Sequence, residues 1–259
     1  MIKGRPIWTL GAFVVAFLIF ARIRSYGDNT GIPIRFAYPV QVDRWLFNGT
    51  DPVTWLQSHL GQTIHLNLLD YLLVVVYISY FVIPPATAVL LWWFRSRWFP
   101  VLTLSIVATL YIGVAINFLV PTAPPWMAAQ HGYLPDFQRL VPKLLNHVVP
   151  GIFKTGDKTA GPNDVAAMPS LHIAIVSVVS FYFMTRGAIG KILGVFYICA
   201  MSFALVYLGE HYVTDIIVGF SIALGSWFAV EWALDRWYAR RCSERSAAKC
   251  EEREAVETT

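Results

Sequence analysis

The chain has 259 residues, of which 56% are hydrophobic and only 14% are charged, whereas soluble domains average about 25% charged residues. Together with a mean hydropathy of +0.54, this composition excludes an ordinary soluble domain, a disordered chain, a collagen-like repeat and a disulfide scaffold. The net charge of +4 comes from Lys and Arg residues scattered between apolar runs, a pattern that indicates membrane topology rather than nucleic-acid binding.

Six apolar runs approach or exceed the length of about 20 residues that a bilayer crossing needs. They predict an all-α, six-helix membrane bundle with spans at 7–23, 69–94, 99–120, 169–185, 191–209 and 213–234. The first run follows Lys3 and Arg5, as a signal peptide would. No small-residue cleavage pattern precedes Arg22, so we expect this run to be a retained anchor.

The basic residues orient this bundle. The short connections at 94–98 and 186–191 are basic, and basic short loops lie in the cytoplasm. We therefore expect a membrane domain over 1–238 with both termini cytoplasmic, an arrangement that suits the plasma membrane. The segments 24–67 and 121–168 would lie outside. The charged stretch 239–259 has the composition of a cytoplasmic, disordered tail.

The first outer segment contains charged residues next to large apolar side chains, from Asp43 to Phe47 and then at Trp55. This pattern is typical of an interfacial helix at the depth of the lipid headgroups. A surface turn would explain the same pattern.

Ionisable residues lie at the starts of two predicted spans. His172 opens the fourth span, and Glu210, His211 and Asp215 open the sixth. Both starts fall on the outer side, so two histidines and one carboxylate can converge there. Because ionisable groups in membrane helices are costly, this convergence indicates a functional site.

The spacing of these residues suggests a mechanism. His211 and Asp215 are four residues apart, so on a helix the carboxylate can accept a hydrogen bond from one imidazole nitrogen and leave the other as a nucleophile. Pro169 and Ser170 are helix-start residues, and the free N–H groups of a helix start attract phosphate. His172 could then protonate a leaving oxygen. A hydrogen-bonded structural histidine, a structural His–Asp pair and a metal triad remain open as alternatives.

Pro169-Ser170-Leu171-His172 and the pair His211 and Asp215 resemble two motifs of the type 2 phosphatidic acid phosphatase superfamily of lipid phosphate phosphatases. The run from Val120 to Trp126 resembles the branch of inositol phosphorylceramide synthases, which are inositolphosphotransferases. The resemblance implies that His211 attacks phosphorus to form a phosphohistidine, Asp215 orients it, and His172 protonates the departing alkoxide. It implies no metal or other cofactor.

The chain departs from the family pattern in its phosphate-binding cations. The family has an arginine six residues before its nucleophile, where this chain has Leu205, and the Lys and Arg of its first motif are missing from 114–126. We expect Lys154 and Lys158 to neutralise the phosphate, with Arg139 and Lys143 as further candidates. Ser170 and Trp126 complete the expected substrate-binding set.

These features predict a membrane enzyme that acts on a lipid phosphate. Transfer to water would make it a phosphatase, and transfer to an alcohol, inositol or lipid hydroxyl would make it a transferase; the sequence leaves both open. A carrier that binds a lipid or polyprenyl phosphate without cleaving it is the alternative, as is a structural membrane subunit. We expect no nucleic-acid partner, and the sequence makes no prediction of oligomeric state.

Overall fold

A computed structural model describes residues 7–27, 31–61, 66–148 and 166–257, with side chains described continuously as far as residue 241. Within these ranges the chain forms ten helices and no β-strand, which confirms the all-α prediction. The helices are α1 (Ile7–Arg24), α2 (Ala37–Leu46), α3 (Pro52–Leu60), α4 (Leu68–Trp93), α5 (Trp98–Leu119), α6 (Pro125–Gln130), α7 (Leu140–Val148), α8 (Leu171–Met184), α9 (Gly187–Tyr207) and α10 (Val213–Glu257).

Five helices of the described chain are long and apolar enough to cross a bilayer: α1, α4, α5, α9 and the part of α10 up to Arg241. The sixth predicted span corresponds to α8, which is apolar but has only 14 residues. At 1.5 Å per residue α8 is about 21 Å long, which is shorter than the roughly 30 Å hydrocarbon layer.

Helix α10 continues to Glu257, beyond residue 234 where the sequence analysis ends the last span. Residues 239–257 are therefore helical, where the composition led us to expect a disordered tail. This stretch is rich in Ala, Glu, Arg and Lys, which are the residues with the highest helix propensity. A polar composition thus does not prevent helix formation.

The core of the bundle lies between α5, α8 and α10, which pack against one another. Leu102 and Ile106 of α5, Val178 of α8, and Ala223 and Trp227 of α10 belong to one buried apolar cluster. Helix α9 packs on α8 and α4, and α1 packs on the far side of α5.

Two glycines allow α8 to start close to its neighbours. A Cβ on Gly113 of α5 would collide with the side chain of Leu171, and a Cβ on Gly219 of α10 would collide with the backbone oxygen of Ser170. Real Cβ atoms do not approach a carbonyl oxygen this closely. Glycine at these positions therefore sets the separation between the start of α8 and the two helices beside it.

We use the term site end for one end of the bundle. Helices α1 and α5 end there, and α4, α8 and α10 begin there. The outer segments of the sequence analysis cover it with the short helices α2, α3, α6 and α7. Backbone hydrogen bonds join Arg35 to Pro121 and Ala123, and Thr122 to Ala167. These bonds fasten the segment before α2 to the chain that follows α5, next to the start of α8.

Candidate active site

Two histidines and an aspartate form a hydrogen-bonded line at the site end. Nδ1 of His172 lies 3.3 Å from Nε2 of His211, and Nδ1 of His211 lies 3.4 Å from Oδ2 of Asp215. His211 is 6% exposed and Asp215 is fully buried. The structure therefore brings together the three residues that the sequence analysis assigned to catalysis.

The order of contacts along this line determines the role of each imidazole nitrogen. An ionised carboxylate only accepts hydrogen bonds, so Nδ1 of His211 carries the hydrogen that faces Asp215. This assignment leaves the lone pair of Nε2 directed toward His172. Nε2 of His211 is consequently the nitrogen available to attack an electrophile.

The reason why His211 meets Asp215 differs from the sequence interpretation. We expected both residues on one helical face, but His211 precedes α10, which begins at Val213. The backbone N–H of Tyr212 donates a hydrogen bond of 3.0 Å to Oδ2 of Asp215, as the third helical residue accepts from the cap residue in a capping box. Asp215 thus closes the start of α10 and holds the imidazole of His211 with the same oxygen.

The turn between α9 and α10 fixes the backbone of His211. Gly209 ends α9 with a φ of +78°, a conformation that side chains disfavour, and the ring of Phe137 occupies the space of a Cβ. The N–H groups of Glu210 and His211 then both donate to the carbonyl oxygen of Leu205, at 3.1 and 3.2 Å. This tight turn places His211 between the end of α9 and the start of α10.

Asp43 of α2 is a residue of the site that sequence reasoning missed. It is buried, and its carboxylate accepts hydrogen bonds of 2.9 Å from the backbone N–H groups of Val213 and Thr214. Burial raises the pKa of the Asp43 carboxyl above its usual range, while the hydrogen bonds from Thr214 and Val213 oppose that rise. Asp43 therefore caps the start of α10, which follows His211 closely, although it lies 170 residues before Val213 in the sequence.

His172 lies in the first turn of α8. Ser170 occupies the N-cap position that the sequence predicted, but its hydroxyl makes no capping bond and has no hydrogen-bond partner among the described residues. Its backbone N–H donates to the carbonyl oxygen of Asp215 at 3.1 Å. The rings of Tyr77 and Tyr80 of α4 lie 4.9 and 4.5 Å from the imidazole of His172, measured between ring centroids, and restrict its orientation.

The phosphate-binding cations are not where the family pattern has them. Leu205, at the position of the family's arginine, is fully buried in an apolar cluster with Ile173 and Val176, so no charge occupies that place. Lys154 and Lys158, which the sequence analysis favoured, lie outside the described residues. Among the described residues, other basic side chains at the site end are the candidates to neutralise the phosphate.

Arg139 lies next to the line of histidines, and Arg24 lies at the same end of the bundle. Arg139 donates to both carboxylate oxygens of Glu210, at 3.2 and 3.5 Å, and its guanidinium lies 4.0 Å above the ring of Trp126. This stack joins Trp126, a predicted substrate-binding residue, to the residue before His211. Arg24 is the last residue of α1. Lys143 instead donates to the side chain of Gln138 at 2.6 Å.

Metal ligation was one alternative for the two histidines and the carboxylate. Over the ranges that the structure describes, no group of three His, Cys, Asp or Glu side chains is arranged to hold a metal ion. His172, His211 and Asp215 instead contact one another in pairs.

Comparisons with known proteins identify the family of this chain. A curated phosphoinositol dihydroceramide synthase of Bacteroides thetaiotaomicron is 30% identical over 139 residues, which cover 48% of this chain and 42% of the relative. The chain thus matches less than half of that protein's length. No solved structure is significantly similar. A family model described as the PAP2 superfamily matches residues 40–229, a range that includes Asp43, His172, His211 and Asp215. The chain therefore belongs to the PAP2 superfamily.

Proposed function

We propose that this protein cleaves a lipid phosphate through a covalent phosphohistidine on His211 and passes the phosphoryl group to an acceptor hydroxyl. The observation that supports this proposal best is the line from His172 through His211 to Asp215. It supplies a general acid, a nucleophile and an orienting carboxylate in contact with one another.

In the first step Nε2 of His211 attacks phosphorus as the bond from phosphorus to the lipid oxygen breaks. His172 in its protonated form transfers a proton to the departing alkoxide, which leaves as an alcohol. The positive charge that develops on His211 is stabilised by Asp215, which accepts a hydrogen bond from Nδ1 and keeps its negative charge.

In the second step an acceptor hydroxyl attacks the phosphohistidine, and the nitrogen–phosphorus bond breaks. His172, now neutral, takes the proton of the acceptor, so the enzyme returns to its starting state. Water as the acceptor gives hydrolysis, whereas an inositol or lipid hydroxyl gives transfer. The matched relative is named a phosphoinositol dihydroceramide synthase, which favours transfer of an inositol-bearing phosphoryl group to a sphingolipid hydroxyl.

The negative charge of the phosphate needs donors on the protein. The first N–H groups of α8 have no partner within the helix, and the buried hydroxyl of Ser170 lies beside them. We assign these groups to the phosphate oxygens, together with Trp126, Lys154 and Lys158. A helix start of this kind binds anions through its N–H groups and its dipole.

The basic short loops support an orientation with both termini in the cytoplasm and the histidines at the outer face of the plasma membrane. Substrate would then reach the histidines from the outer leaflet. Cysteines introduced at Ser58, near the site end, and at Ser96, near the other end, test this orientation. Each is labelled from outside and from inside the cell, and the two labels are compared.

The decisive experiment measures phosphate release from a panel of lipid phosphates by the purified full chain in EDTA, with His211→Ala as the comparison. Samples that release no phosphate are assayed again with added inositol, ceramide or diacylglycerol. We expect turnover by the wild type only, and acid-labile, base-stable label trapped on the wild type from a phosphate-labelled substrate. If the lipid binds but none of these assays detects turnover or trapped label, the proposal is overturned in favour of a carrier.

A further inference from the structure

An apolar cleft of about 380 Å³ opens beside the candidate active site, between α1 and α4, with α5 and α8 at its back. Phe13, Val14 and Phe17 of α1 form one wall, and Pro84 and Pro85 form part of the opposite wall. The volume falls within the range of about 300–1,000 Å³ that small-molecule sites occupy. The cleft is thus large enough for part of a ligand and offers it only apolar and aromatic contacts.

The packing of α1 leaves this cleft open toward the surrounding lipid. Helix α1 is fastened to α5 by a hydrogen bond of 3.0 Å from the hydroxyl of Tyr111 to the carbonyl oxygen of Ala16. Across the cleft, Pro84 and Pro85 lack the N–H groups that would complete two helical hydrogen bonds of α4. Val14 is 46% exposed, so this wall faces both the cleft and the bilayer.

The cleft adjoins His172 through two aromatic rings of α4. Tyr80 and Phe81 line it, and their rings lie 4.5 and 6.2 Å from the imidazole of His172. Ile175, three residues after His172 on α8, also lines the cleft. A hydrocarbon chain in this cleft would therefore contact the same rings as the proposed general acid.

A positive charge lies above the same wall. Arg24 ends α1 seven residues after Phe17, which is roughly 10 Å at 1.5 Å per residue. Seven residues are about two helical turns, so the side chains of Phe17 and Arg24 lie on the same face of α1. Helix α1 thus presents an apolar surface along the cleft and a cation at the site end, which matches a ligand with an apolar chain and an anionic head.

We propose that this cleft binds a hydrocarbon chain of the lipid phosphate, which enters laterally from the bilayer between α1 and α4, while Arg24 lies beside the phosphate. This inference rests on the proposed function, because it identifies the cleft occupant with the substrate. It assigns to Arg24 part of the charge compensation that the missing family arginines do not provide.

Val14→Trp tests the chain-binding cleft, and Val15→Trp is its matched control. Both residues are valines of α1 with similar exposure, 46% and 54%, but only Val14 lines the cleft. The readout is the ratio of kcat/KM for a lipid phosphate with 16-carbon chains to kcat/KM for p-nitrophenyl phosphate. We expect Val14→Trp to lower this ratio about tenfold, as when a few methylene groups lose apolar contacts, and Val15→Trp to leave it unchanged.

A parallel pair of variants tests the cation. Arg24→Gln should lower kcat/KM about tenfold for both substrates, since both carry the phosphate, and Arg22→Gln, two residues earlier on α1, should not. Equal effects within either pair would overturn the corresponding part of the proposal.

Photolabelling with a long-chain lipid phosphate that carries a diazirine on the chain does not depend on turnover. We expect labelled peptides from α1 and α4 in the wild type and in Val15→Trp, and loss of this label in Val14→Trp. Labelling that is equal in all three proteins would overturn the cleft proposal even if the enzyme is active. Cleft-specific labelling without turnover would instead contradict the proposed function and leave the lipid-binding cleft in place.

Discussion

The carboxylate of Asp43 accepts a hydrogen bond of 2.9 Å from the backbone N–H of Val213, two residues after the proposed nucleophile. One carboxylate from the short helix α2 therefore sets the position at which α10 begins. Because His211 leads directly into that start, a covering element of the protein is coupled to the geometry of the reaction.

Asp43→Ala should lower activity and stability together. The substitution leaves the N–H groups of Val213 and Thr214 without their cap, which costs roughly 1–2 kcal/mol, and it frees the chain next to His211. We expect a fall in Tm and a fall in kcat of at least about tenfold, since small displacements of a catalytic group are costly. Thermal unfolding and phosphate release measure both effects.

Asp51→Ala is the control for this variant. The side chain of Asp51 accepts a hydrogen bond of 3.2 Å from the backbone N–H of Val53 and so caps α3, not the helix that follows His211. A comparable loss of Tm with unchanged kcat in Asp51→Ala would separate a lost cap from a displaced active site. Equal losses of kcat in both variants would contradict the role given to Asp43.

Asp215→Asn should abolish most turnover while the protein stays folded. An amide can donate to Nδ1 of His211, which then holds its hydrogen on Nε2 and loses the nucleophilic lone pair. Replacement of an orienting carboxylate by an amide lowers kcat by about 10⁴-fold in a comparable triad. Single-turnover trapping of labelled phosphate measures this step, and a normal burst in the variant would show that Asp215 does not orient the nucleophile.

His172→Ala should discriminate between leaving groups. A general acid contributes about 10²–10⁴-fold when the leaving oxygen needs a proton, as an alkoxide does and a nitrophenolate does not. We expect a large loss for alkyl lipid phosphates and a much smaller loss in phosphohistidine formation from p-nitrophenyl phosphate. His211→Ala should lose both activities. A loss that is equal for the two leaving groups would assign His172 a role other than proton donor.

Gly219→Ala should impair the enzyme although it adds only one methyl group. The new Cβ would collide with the carbonyl oxygen of Ser170 and push the start of α8, with His172, away from Asp215. Gly225→Ala on the same helix is the matched control, because no atom lies within 4 Å of its Cβ position. We expect Gly225→Ala to be neutral or stabilising by up to about 1 kcal/mol, and only Gly219→Ala to lose kcat and Tm.

The sequence predicted the membrane spans well because long apolar runs leave few structural alternatives in a bilayer. It also selected His172, His211 and Asp215, which the structure brings into contact, since charged and titratable groups at span starts stand out against an apolar background. The interpretation of His211 and Asp215 as neighbours on one helical face was wrong, because α10 starts only at Val213. Their contact depends on a cap, which spacing alone does not distinguish from a helical turn.

Other parts of the site depend on tertiary contacts. In the sequence, Asp43 is one charged residue among several in an amphipathic segment. Only the packing of α2 on α10 brings it to Val213. Arg24 directly follows the first predicted span, far in sequence from either motif, and no local pattern connects it to His172. The role of Leu205 was visible only as a missing arginine, until the structure showed that apolar side chains enclose its place.

The depth at which α8 begins has a consequence for the products of the proposed reaction. Tyr77, which contacts His172, lies nine residues inside α4, or roughly 13 Å from the first residue of that helix. His172 is therefore recessed below the level at which α4 begins. Under the proposed function, a lipid alcohol formed there would be released beside the acyl chains and could diffuse away in the plane of the bilayer, whereas a released phosphate would have to travel outward to water. The two products of hydrolysis would thus depart in perpendicular directions, by routes that do not obstruct each other.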